Sequence, residues 1–149
     1  MQIRTAVATD VPRLLALMRR YWEFEALPGF DALRMEILLE RLIHHGELGE
    51  IWVAAQGEAL QGYLVVVHVL SLEHGGLMGE IDEFFVLPQA RAQGVGGKLL
   101  ASAEAALRER GAVRLQLQLA LTNASARRFY ETRGYHGRAG YALLDKPLQ

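Results

Sequence analysis

Arg91-Ala92-Gln93-Gly94-Val95-Gly96-Gly97-Lys98 decides the reading of this chain. The stretch lies between an apolar, strand-like run from Glu80 to Leu87, closed by Pro88, and a helical run from Lys98 to Arg110. Three glycines in four positions leave a turn almost free of side chains. Its N–H groups converge where a helix begins, and a helix N-terminus carries unpaired donors and the positive end of the dipole. Such a place suits an anion, above all a phosphate. Two familiar phosphate loops fail on particular letters. A Walker loop needs glycine at the position of Ala92 and a hydroxyl residue at that of Leu99, where it would bind magnesium. A dinucleotide fingerprint accepts Gly94 and Gly96 but needs glycine in place of Leu99, and the next apolar strand, Val113 to Leu119, ends without an acidic residue for a ribose.

Two motifs together do fit a family. Arg91, Gly94 and Gly96 fill Arg/Gln-x-x-Gly-x-Gly/Ala, and Asn123, Ala126, Phe129, Tyr130, Gly134 and Tyr135 fill Asn-x-x-Ala-x-x-Phe-Tyr-x-x-x-Gly-Phe/Tyr. The chain resembles the GCN5-related N-acetyltransferases, the GNAT family, from about Ile3 to Leu144, most specifically from Glu80 to Tyr135. The resemblance implies an α/β fold with a mixed central sheet of six or seven strands, about four flanking helices, and a splay between the strands around 80–87 and 113–119. It implies acetyl-CoA as co-substrate, an amine acceptor, direct attack in a ternary complex and a homodimer.

Composition is compatible with this. A chain of 149 residues suits one domain, 1–149, and buries roughly 70% of its unfolded surface without a staple. The absence of cysteine removes disulfides, thiolate metal sites and a cysteine nucleophile, and accords with a cytoplasmic setting. With 16 basic and 17 acidic residues and no basic stripe, a nucleic-acid backbone is a poor partner. The longest apolar run, Tyr63 to Val67, falls far short of the roughly 20 residues that span a bilayer, so no membrane partner is expected. The five histidines show no ligand spacing, and no metal is expected.

Along the chain the pattern predicts a strand over Ile3–Val7, then a helix capped by Thr9 or Asp10 and broken by the stretch from Tyr21 to Phe30. A second helix runs from Asp31 to His45 with Leu38, Leu42 and Ile43 inward. A hairpin follows (Ile51–Ala55 and Leu60–Leu70), then the strand Glu80–Leu87, the glycine loop and its helix, the strand Val113–Leu119, a helix capped by Asn123, and a last strand pair over about Tyr135–Lys146.

Acetyl transfer from a thioester to an amine needs a grip on the donor, a neutral amine, a donor for the oxyanion and a proton for the thiolate. Backbone N–H groups from Gln93 through Gly94, Val95, Gly96 and Gly97 to Lys98 would hold the diphosphate, with a charge-assisted contact from Arg91. The alternative is a tight turn that needs glycine only for its dihedrals. Tyr130 has the chemistry of a proton source: a phenol titrates near 10, above the thiol range of about 8.5. The family's motif tyrosine has this role; the bland alternative is an aromatic core pair, Phe129-Tyr130. Asn123 suits both an N-cap and a hydrogen bond to the pantetheine arm. In the family that arm pairs with the strand before the loop, here Phe84, Phe85 and Val86, which also supplies an oxyanion donor.

On the acceptor side, Glu80, Asp82 and Glu83 crowd one strand, where burial and repulsion raise carboxylate pKa values toward a general base. Alternation puts Glu80 and Asp82 on one face and Glu83 on the other unless a bulge intervenes. Glu80 has the spacing of the catalytic glutamate of histone-type members. Asp82 to Val86 looks like a segment of diamine (spermidine/spermine) acetyltransferases whose acidic pair helps bind the polyamine; other members deprotonate through ordered water. Solvated residues at a strand end are the alternative. Tyr21, Trp22 and Glu25 fall where the family forms its acceptor loop, and aromatic faces with carboxylates suit a cationic amine; an aromatic plug over the core is the competing reading. The expected activity is acetylation of a primary amine on a small cationic molecule, with protein or peptide acetylation and a non-catalytic CoA-binding module as alternatives.

Overall fold

A computed structural model describes all residues, 1–149, in two compact units, Met1–Leu117 and Gln118–Gln149. The first unit holds β1 (Gln2–Thr5), α1 (Val11–Phe24), α2 (Ala32–His44), β2 (Gly49–Gln56), β3 (Ala59–Ser71), β4 (Gly76–Val86), α3 (Val95–Glu109) and β5 (Arg114–Leu117). The strands form one sheet in the order β1-β2-β3-β4-β5, antiparallel except for the parallel β4–β5 pair. A crossover through α3 makes that parallel pair possible.

The two faces of the sheet carry different helices. Ile51, Val53, Tyr63, Val65 and Phe85 point to one face and form a core with Val11, Leu14, Leu17 and Met18 of α1 and Leu39 of α2. On the other face a Cβ placed on Gly79 would stand 2.9 Å from Leu107 of α3 and from Val66, and 3.0 Å from Leu115, so only a glycine lets α3 pack this closely here. No helix is long and apolar enough to cross a membrane.

Several expectations need correction. The sheet has five strands rather than six or seven. The expected last strand pair over 135–146 does not form; the one regular element of the second unit is α4 (Ala124–Glu131). The first helix continues through Tyr21 and Trp22 to Phe24, because Tyr21 packs against the core. It stops where Ala26 turns to a left-handed φ of 53°. In α2 the inward residue is Leu39, and Leu38 stays 42% exposed; Leu42 and Ile43 pack on the core as expected. Asp10 stands at the N-cap of α1 without capping it. Its carboxylate instead takes the Val7 N–H at 2.8 Å and the guanidinium groups of Arg4 and Arg13.

Candidate active site

The acidic strand is shaped by one irregularity. Val65 pairs with Glu83 and Val66 with Ile81, so Asp82 is the extra residue of a bulge in β4. The bulge resets the alternation. Glu83, opposite Val65, joins the face that carries α1 and α2, and Asp82 opens into the same cavity. Glu80 pairs with Val67, which also lines that cavity, and its Oε1 accepts from Gln116 Nε2 at 3.2 Å. Glu80 and Glu83 therefore share a face, which simple alternation does not give.

The cavity measures about 380 Å³ and is lined mainly by apolar residues of α1, α2 and β3, with Trp22, Asp82, Glu83 and Arg41 as its polar members. Glu83 is held firmly. Its Oε1 accepts from the Tyr63 hydroxyl at 2.8 Å and its Oε2 from Trp22 Nε1 at 2.9 Å. Burial pushes the Glu83 carboxyl above the usual range; the two donors oppose the rise and the Asp82 charge adds to it. Asp82 is raised too, by burial. Tyr21 lies edge-on to Tyr63 with ring centres 6.4 Å apart and tilted on Phe85 at 5.9 Å. Its hydroxyl is pushed up to about 12, first by burial and then by the charges of Glu83, Glu25 and Asp82. Tyr63, fully buried, is raised as well, first by burial and then by the Glu83 charge and its hydrogen bond, with Tyr21 and Asp82 adding to it. Trp22 also meets Phe30 edge-on at 5.5 Å. Glu25 ends α1, exposed, and does not line the cavity.

Sequence reasoning passed over Tyr63, Met18, Met35 and Arg41. A hydroxyl at the head of the dry run Tyr63–Val67 was the available signal, since a buried phenol needs a partner.

Beyond the acidic residues, β4 outruns its neighbour. Pairing with β5 ends at Ile81–Leu117, where β5 itself ends, while Glu83 to Val86 keep their register with β3. The Leu87 N–H bonds the Gln61 carbonyl, so antiparallel alternation turns the Val86 carbonyl away from β3. Arg91 Nε takes that carbonyl at 2.9 Å, and the guanidinium lies over Phe24 and Phe85, 5.0 and 5.7 Å from the ring centres. Arg91 is thus tied to the end of β4.

The glycine stretch turns helical earlier than expected. Pro88–Gln93 form a 3₁₀ helix in which Gln93 Nε2 donates to the Gln89 carbonyl. Gly94 turns left-handed at φ 73° and α3 starts at Val95, not Lys98. A Cβ on Gly94 meets nothing within 4 Å, so here the dihedral, not crowding within the chain, requires glycine. Val95 is buried and pins the helix start. The first α-helical bond runs from the Lys98 N–H to the Gly94 carbonyl. The N–H groups of Val95, Gly96 and Gly97 precede it in the first turn, where a helix leaves its donors without intrahelical partners. Lys98 is exposed.

In the second unit, Asn123 caps α4: its Oδ1 accepts from the Ala126 N–H at 3.1 Å. Tyr130 is buried, edge-on to Phe129 and Tyr135 at 5.2 and 5.5 Å. Arg133 lies 3.9 Å over Phe129, and Arg127 pairs with Glu131 at 3.4 Å.

The model of the acetyltransferase (GNAT) family matches residues 11–135. The chain belongs to this family. GNAT proteins are acyltransferases that use acetyl-CoA. The chain is 42% identical over 139 residues to the aminoalkylphosphonate N-acetyltransferase of Salmonella typhimurium, covering 90% of this chain and 84% of that one. It is 30% identical over 145 residues to the uncharacterized N-acetyltransferase YhfO of Bacillus subtilis, covering 95% and 93%. A crystal structure described as a predicted acetyltransferase with acetyl-CoA, from Clostridium acetobutylicum, superposes with a TM-score of 0.82 over 97% of this chain and 95% of that one, at 17% identity. The GNAT fold is shared at that distance.

Proposed function

We propose that this chain, as one domain over 1–149, transfers the acetyl group of acetyl-CoA to a primary amine on a small molecule bound as its cation. The observation that carries the reading is Glu83, fixed through both oxygens by Tyr63 and Trp22 at the wall of a cavity and raised in pKa by burial. A carboxylate so placed attracts an ammonium, and its raised pKa brings it closer to that of a useful base.

The reaction runs by direct attack. Glu83 accepts a proton from the ammonium, directly or through water. The amine nitrogen bonds the thioester carbonyl carbon, and the oxyanion is met by a backbone N–H of β4. The C–S bond breaks, the thiolate takes its proton from the Tyr130 hydroxyl, the role the family motif gives this residue, and the nitrogen's second proton passes through water to the phenolate left behind. The N–H groups of Val95, Gly96 and Gly97 hold the diphosphate, and the strip Phe84–Val86 pairs with the pantetheine arm. Arg91 and Asn123 contribute polar contacts to the cofactor. Asp82 shares the charge of the amine with Glu83. Glu80, engaged by Gln116, is the second candidate for the base.

The size of the cavity favours a small acceptor over a peptide. The Salmonella relative makes an aminoalkylphosphonate the first acceptor to try. The test is thiol release from acetyl-CoA across aminoalkylphosphonates, polyamines, aminoglycosides, amino acids and peptides. A small amine should accelerate release, and Tyr130→Phe should slow turnover while acetyl-CoA still binds. Tight CoA binding with no amine accelerating release would replace the enzyme with a sensor.

A further inference from the structure

The cavity that holds Asp82 and Glu83 has a charge of the other sign in its wall. Arg41, in the last turn of α2, also lines it. No carboxylate lies within ion-pair distance of Arg41, so the guanidinium and the two carboxylates stand apart in one cavity instead of neutralising each other. The rest of the lining is mostly apolar and includes Met35, Leu39, Leu42 and Val65. A ligand that satisfies both ends carries an ammonium and an anion joined by a short hydrocarbon spacer.

The geometry points to Arg41 as the residue that selects an acceptor amine bearing an anionic group, a carboxylate or a tetrahedral oxyanion a few bonds from the nitrogen. This rests on the acetyltransferase reading above. The nitrogen sits at Asp82 and Glu83, and the spacer lies along the apolar wall. The guanidinium fork receives two oxygens at once, a geometry lysine does not reproduce. An unadorned alkylamine leaves Arg41 unused, and a diamine brings a second cation toward it.

Steady-state acetylation tests this with the full chain and four acceptors: aminoethylphosphonate, β-alanine, propylamine and ethylenediamine. The wild type should favour at least one of the two anionic amines over propylamine by about tenfold or more in kcat/KM, as expected for one charge-assisted pair. Arg41→Ala should collapse that preference to about twofold or less through KM, with the affinity for acetyl-CoA unchanged, and Arg41→Lys should restore part of it. The separation of the two anionic acceptors tells a phosphonate from a carboxylate preference. Turnover of propylamine or ethylenediamine in preference to both anionic amines, or an unchanged preference in Arg41→Ala, overturns the role of Arg41 and leaves the acetyltransferase standing. Failure of every amine in all variants overturns both.

Discussion

Asp10 and Glu83 are two carboxylates withdrawn from water in the same unit, and they are held in opposite ways. Asp10, fully buried, takes two bonds from the Arg4 guanidinium at 2.7 and 3.1 Å, one from Arg13 at 2.8 Å and one from the Val7 N–H. The Arg4 bonds hold its carboxyl below the ordinary range against the opposing effect of burial. Glu83 has only neutral donors, Tyr63 and Trp22, and a like charge beside it in Asp82; burial wins and its carboxyl rises. One is a charge neutralised to fasten β1 to the start of α1. The other keeps an unspent charge at a cavity wall. Burial alone does not mark a functional acid; the sign of its partners does.

The largest effect on folding should come from Asp10. Asp10→Ala leaves two guanidiniums without their partner and should cost about 3 kcal/mol in chemical unfolding, near the lower end for a broken buried pair because both arginines are partly exposed. Acetylation per folded molecule should stay near wild type. A large loss of turnover at full folding would erase the distinction between the two acids.

Tyr63→Phe should come next. It leaves Glu83 Oε1 short of a donor and should cost about 2 kcal/mol. The lost bond opposes the rise in the Glu83 pKa, so its removal should push the acidic limb of the kcat/KM profile to higher pH. A limb that does not move would detach that titration from Glu83.

The smallest effect sharpens the contrast through stability against pH. The lowered carboxyl of Asp10 contributes stability that is complete above the unfolded carboxylate range and is lost as pH falls through its folded value. The raised carboxyls of Asp82 and Glu83 act the other way: stability declines as pH rises from the unfolded value through the folded one. Asp10→Asn should therefore lessen the loss of stability on acidification, and Glu83→Gln should lessen the decline on the alkaline side of the carboxylate range. Urea titrations across pH read both slopes.

How much of this was legible in the letters depends on how local the cause is. Gly94 and Asn123 were readable because a left-handed turn and an N-cap are decided within four residues. The family motifs carried the fold class. The bulge at Asp82 was not readable, since it is set by the register between β3 and β4 and has no letter of its own. Without it Glu83 would face away from Glu80, and the meeting of Trp22, Tyr63 and Glu83, 61 and 20 residues apart, is beyond any local pattern. Leu38 was read inward for its helical spacing four residues before Leu42; the core instead takes Leu39, three residues before it. The segment 135–146 has strand-like letters, but a strand exists only with a partner.

The most direct measurement is kcat/KM for the amine in Glu83→Gln, taken with acetyl-CoA affinity by calorimetry. A fall of about a hundredfold or more at unchanged acetyl-CoA affinity is the result predicted for the loss of a general base. An unchanged kcat/KM in a folded, CoA-binding Glu83→Gln would contradict the account.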